Sequence, residues 1–146
     1  MYVYAGVPQK TQKEVHNILR NEYNNGPGGL PGNEDAGQMS AWYVFSSLGF
    51  YPVCPGSPDY IIGAPLFPYA KIHLFNGKTF EIRANNLSED NIYIQSMRFN
   101  GQPYTNYHLT NDMIINGGLL EFEMGPTAFI SLQPHWTPNS TISSLP

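Results

Sequence analysis

Gly26-Pro27-Gly28-Gly29-Leu30-Pro31-Gly32-Asn33-Glu34-Asp35-Ala36-Gly37 divides two segments of helical character near the start of this chain. Its glycines and prolines cannot continue a helix, so the chain must turn back here. Upstream, Thr11 followed by Glu14 reads as a capping box, and Val15, Ile18, Leu19 and Tyr23 share one face at helical spacing. Asn24-Asn25-Gly26 ends that helix with residues that tolerate a left-handed turn. Downstream, a second helix is predicted from near Asp35 to about Leu48, with Gly49 as its stop. Met39, Trp42, Tyr43, Phe45 and Leu48 alternate there with Ala36, Gly37, Ser40, Ala41, Ser46 and Ser47. Large residues all round with small ones between them suit a helix packed closely on several sides.

From residue 51 onward the signals are those of strands. Tyr51-Pro52 through Pro58 reads as a proline-rich crossing, and Tyr60-Ile61-Ile62 as a short apolar strand. Asn76-Gly77 joins Lys71–Phe75 to Lys78–Ile82 as a hairpin, and Asn100-Gly101 turns the chain after Ile92–Phe99, with Pro103 shortening the strand beyond that turn. A third hairpin is expected across Asn116-Gly117-Gly118, between Met113–Ile115 and Leu119–Met124. Leu120, Phe122 and Met124 alternate with Glu121 and Glu123, which gives that strand one wet face. Ala128–Leu132 reads as a last strand. The expected fold is therefore α+β: a helical hairpin over 1–50, an antiparallel β region over 51–136 and a frayed tail over 137–146. A hairpin this apolar is a poor domain alone, and it implies further helical structure packed on it.

At 146 residues the chain is about one domain long. A net charge of -4 without any basic run argues against a nucleic-acid surface. No stretch approaches the roughly 18 apolar residues of a membrane span, and the opening Met-Tyr-Val-Tyr-Ala-Gly lacks the basic and apolar regions of a signal peptide. The single cysteine, Cys54, excludes an internal disulfide and reads as a small buried residue. His16, His73, His108 and His135 lack metal-ligand spacing. Sequons stand at Asn86-Leu87-Ser88 and Asn139-Ser140-Thr141, and they matter only in a eukaryotic secretory setting.

The chemistry is concentrated in Asn33, Glu34 and Asp35. One reading makes Asn33 or Asp35 the cap of the second helix, with either acid gaining from the helix dipole. The other makes a carboxylate here a general base, held ionised by the helix start, with glycines allowing a substrate close to the backbone. The residues alone leave both open. A phosphate cradle fails for want of a Gly-Lys-Ser/Thr ending, and an EF-hand for want of alternating acidic ligands.

The run from Gly29 through Phe45, continuing through Ser46-Ser47-Leu48-Gly49-Phe50-Tyr51-Pro52-Val53 and Pro55-Gly56-Ser57, resembles the signature of glycoside hydrolase family 92. Tyr4-Ala5-Gly6-Val7-Pro8, Tyr60 to Phe67, Asn76 to Phe80, Asn91 to Ser96 and Gly117 to Pro126 are similar to other family segments. The family comprises calcium-dependent exo-acting α-mannosidases built from a β-sandwich followed by an (α/α)6 barrel. The resemblance implies an inverting hydrolase of terminal α-mannosides, such as those of N-glycans or mannan, with Asp35 as general base. Asn33 falls where the family motif has its first acid, so an amide replaces any assisting carboxylate there. Glu34 is expected to support the site or contact substrate. The general acid and most Ca2+ ligands would lie in a missing N-terminal part of the same polypeptide, which makes the chain a C-terminal fragment, inactive and prone to self-association by itself. The resemblance also implies a bacterial periplasmic, cell-surface or secreted location. The competing class is a non-catalytic carbohydrate-binding or structural β module.

Overall fold

The computed structural model describes residues 2–128. Helix α1 spans Pro8–Asn21 and helix α2 spans Gln38–Leu48. Strands β1 (Phe50–Tyr51), β2 (Asp59–Ile62), β3 (Tyr69–His73), β4 (Thr79–Asn85), β5 (Tyr93–Phe99), β6 (Gln102–Pro103) and β7 (His108–Thr110) come next. A short helix α3 (Asn111–Ile115) leads to β8 (Gly118–Gly125). With α1 and α2 first and the sheets after them, interrupted by the short α3, this is an α+β arrangement, as expected.

The first helix starts earlier than its capping box suggested. Pro8 occupies the first turn, where its missing N–H costs nothing, and Val7 is the cap without a side-chain bond. Thr11 is thus inside the helix, and its Oγ1 is buried without a partner. The buried face is Pro8, Gln12, His16 and Leu19, whereas Ile18 is exposed. Gln12 ties this helix to the sheet, its Oε1 accepting from the Ile94 N–H at 3.1 Å. His16 hydrogen-bonds the Pro65 carbonyl through one ring nitrogen, while its buried Nε2 has no partner.

Helix α2 ends as the sequence predicts, at Gly49, whose φ of 97° places it in the left-handed region. A Cβ at Gly49 would stand 3.1 Å from the Pro65 backbone nitrogen, so both conformation and space call for glycine. The helix is not covered on several sides within this chain. Its buried residues are Ser46 and Ser47, while Val44 is 56% exposed and Trp42, Tyr43 and Phe45 are half-buried.

Among the described residues the strands form two sheets, ordered β1-β2-β7 and β3-β4-β8-β5-β6. The Asn76-Gly77 hairpin joins β3 to β4 with Ile72 opposite Phe80, and the Asn100-Gly101 turn joins β5 to β6. Two features depart from expectation. Residues 113–115 belong to helix α3, because the Thr110 hydroxyl caps it by accepting from the Met113 N–H at 3.2 Å. Strand β8 then cannot pair with a neighbouring hairpin strand. It inserts between β4 and β5, parallel to the first and antiparallel to the second, so one pair in an otherwise antiparallel region is parallel. Leu120, Phe122 and Met124 of β8 are buried as their alternation predicts, together with Phe50, Ile62, Phe80, Ile82, Ile94 and Leu109. On the other face Glu121 pairs with Arg83 at 3.3 Å and Glu123 accepts from the Asn86 side chain, so neither is simply solvated. The expected strand over 128–132 and the tail lie outside the described residues, except for Ala128 itself.

Candidate functional site

The loop joining α1 to α2 is closed upon itself. The Asn24 side chain accepts from the Gly26 N–H at 2.8 Å, and the Asn24 N–H donates to the Gly29 carbonyl at 3.0 Å. A Cβ at Gly29 would fall 2.0 Å from the Asn24 carbonyl oxygen, so this crossing admits glycine alone. Behind the loop, Tyr23 stacks on Trp42 at 5.8 Å and tilts against Tyr43 at 4.9 Å. Its hydroxyl donates to the Met39 carbonyl at 3.3 Å. Between the loop and α2 lies an open concavity of about 930 Å³, whose wall includes Tyr23, Tyr43, Asn33, Glu34 and Ser40.

Helix α2 begins at Gln38, three residues later than Asp35, and has no acid in its first turn. The capping task falls to Glu34, not to Asn33 or Asp35. Its Oε1 accepts from the Met39 N–H at 2.9 Å and its Oε2 from the Ser40 N–H at 2.9 Å and from the Ser40 hydroxyl. Those donors favour the ionised form and hold the Glu34 carboxyl below its ordinary range, the Ser40 hydroxyl contributing most. The reach from Glu34 to residues five and six positions on results from the turn at Ala36 and Gly37, both left-handed at φ 55° and 80°.

Asp35 is exposed, and among the described residues its side chain has no hydrogen-bond or ionic partner. Its backbone is held on both sides. The Asp35 N–H donates to the Asn33 carbonyl and the Gln38 N–H donates to the Asp35 carbonyl, each at 3.2 Å. Asn33 and Glu34 line the concavity and Asp35 does not. The two readings of this triplet are thus divided between neighbours: one acid caps, the next is left for solvent.

Ser40 and the Tyr23–Tyr43 wall were not singled out from the sequence as site residues. A serine two positions inside an apolar helix, six residues after a glutamate, was the available signal. Cys54, expected to be buried, is exposed in the turn that Gly56 closes at φ 82°. His16, His73 and His108 sit on separate elements, and no group of three His, Cys, Asp or Glu among the described residues could hold a metal ion. His135 lies outside those residues. No helix among them is long and apolar enough to cross a membrane.

The catalytic-domain model of glycosyl hydrolase family 92 matches residues 1–126. An inverting mannosidase of that family from Bacteroides thetaiotaomicron is 46% identical, with a TM-score of 0.82 over 87% of this chain and 17% of that one. A family 92 α-mannosidase from the same organism, solved with mannoimidazole, is 41% identical with a TM-score of 0.85 over 88% of this chain and 17% of its own. A relative from Arthroderma benhamiae, described as an uncharacterized secreted glycosidase, is 36% identical over 128 residues. This chain spans 16% of that relative's length, as it spans 17% of the two solved chains. A match running from residue 1 to residue 126, through the loop and both sheets, places the chain in glycoside hydrolase family 92.

Proposed function

We propose that this chain is the C-terminal part of an inverting exo-α-mannosidase and supplies its general base, Asp35. The observation that carries this is the division of labour between two adjacent acids. Glu34 satisfies the start of α2, which leaves the Asp35 carboxylate exposed and unpartnered beside a concavity. A base needs that freedom, because it must accept a proton within hydrogen-bond reach.

In this reading the Asp35 carboxylate takes a proton from a water as that water's oxygen bonds to the anomeric carbon of a terminal α-mannoside. The glycosidic bond breaks on the opposite face, and the leaving oxygen receives a proton from an acid elsewhere in the longer polypeptide. The two carboxyl groups then stand about 6.5–9.5 Å apart, with the water between them. Asn33 stands beside the base as an amide. It can donate to and accept from the attacking water but cannot take its proton. The Tyr23 and Tyr43 rings offer an apolar wall suited to the hydrophobic face of a sugar.

Calcium would act on sugar hydroxyls in the longer enzyme. Most of its ligands are placed in the rest of the polypeptide, no group of three His, Cys, Asp or Glu among the described residues being able to hold an ion, and no step here runs through it. The proposed location is the bacterial periplasm, the cell surface or the medium, and the secreted description of one relative supports export alone.

Replacing Asp35 by Asn in the full-length enzyme tests this. Turnover of an α-mannoside should fall by about 10²–10⁴-fold with circular dichroism unchanged. Retained turnover would favour a carbohydrate-binding or structural module instead.

A further inference from the structure

We propose that Glu34 and Ser40 form a clasp that aims Asp35, with Glu34 as a positioning residue and Ser40 as its partner. The inference rests on Asp35 being the base. Residues 31–38 are all exposed, so packing within this chain cannot set the direction of the Asp35 side chain. What this chain supplies is hydrogen bonds that hold the backbone on either side of it. Both Glu34 oxygens are committed to α2, one to the Met39 N–H and the other to the Ser40 N–H and hydroxyl. A simple cap needs one oxygen and one amide. Gripping with both fixes the carboxylate plane, and so the backbone one residue before Asp35.

The other side of Asp35 is held against a conformational cost. Ala36 adopts φ 55°, a region that a residue with a Cβ avoids, and Gly37 comes next at φ 80°. Such a conformation persists where its surroundings over-determine it, and here the bonds from residue 34 to residues 39 and 40 span it. Asp35 therefore sits at the tip of a strained turn whose two ends are tied together. Both Glu34 oxygens are engaged by α2, which assigns this carboxylate to holding the turn rather than to the sugar.

The test uses the full-length enzyme with an aryl α-mannoside. Glu34→Gln and Ser40→Ala should each lower kcat by about tenfold or more, the scale of one lost hydrogen bond to a charged group. KM should stay within about twofold, since an interaction expressed in the chemical step alone leaves ground-state binding intact. Ser40→Thr, which keeps the hydroxyl, should recover most of the Ser40→Ala loss. In an Asp35→Asn background, Glu34→Gln should lower the residual rate no further, because both changes act through one carboxylate. A raised KM with kcat kept would make Glu34 a sugar contact and overturn the clasp. So would a full Glu34→Gln loss on top of Asp35→Asn, or unchanged kcat in Ser40→Ala. If Asp35→Asn alone retains turnover, the assignment of the base fails and the clasp with it. If Asp35→Asn is inactive while Ser40→Ala and Glu34→Gln keep full kcat, only the clasp fails.

Discussion

Glu34 and Asp35 stand one residue apart, and only the Glu34 carboxylate is held by hydrogen bonds from its surroundings. Glu34 has its pKa held below the ordinary value of 4.5, chiefly by the Ser40 hydroxyl. A carboxyl lowered on folding stabilises the folded form above its unfolded pKa and loses that contribution as pH falls through the folded one. The Glu34 contacts should thus be intact at neutral pH and weaken as the pH falls below 4.5 through the lowered folded value. Amide exchange at Met39 and Ser40, corrected for its intrinsic pH dependence, should lose protection over that range. Glu34→Gln should flatten the change.

At the scale of elements, two docking points can be probed. His16 lies buried on the face of α1 turned to the sheets, and burial pushes its pKa below 6.5, with the Arg20 charge acting the same way. The folded state then favours the neutral ring. Its contribution is full above 6.5 and declines as pH falls from there through the lowered value. The thermal midpoint should drop across that interval, and His16→Gln should reduce the slope. Gly49 sets the exit from α2. Gly49→Ala places a Cβ at left-handed φ against Pro65, at a cost of about 1–3 kcal/mol. Thermal melting of the full-length variant should show a lower midpoint.

At the scale of the molecule, aromatic rings run without a break from the loop into the core. Tyr23, Trp42, Tyr51, Phe45, Phe50, Phe80, Phe99 and Tyr104 succeed one another at centroid distances of 5.8–6.5 Å. Phe50 and Phe80, in the middle of this series, are buried in the core, and toward the loop the rings pass through Trp42 on α2, whose large side chains are half covered. Val44 at 56% exposure and Ile18 at 38% add to the apolar surface left on the helical side. The isolated chain should therefore self-associate, and sedimentation should show species larger than a monomer that increase with concentration. It should also be inactive on α-mannosides, because the proposed acid is not among its residues. Measurable turnover by the isolated chain would refute that.

What the sequence by itself determined is local. The Asn-Gly pairs placed two hairpin turns, Gly49 ended α2, and the alternation of Leu120, Phe122 and Met124 assigned the buried face of β8. Each of these is a choice made by neighbouring residues, from backbone freedom or from the period of the side chains. The acids at 34 and 35 could be located in the same way, and the family motif could be read around them.

Only the tertiary structure decided which partners those elements found. A capped α3 replaced the expected third hairpin, and β8 slid between β4 and β5 because its two faces and both edges could be satisfied there. Which acid would hold the helix start depended on how far the chain swung back through Ala36 and Gly37. Glu34 could reach the free N–H groups across that turn and Asp35 was carried past them, an outcome of geometry over six residues that no count of charges contains.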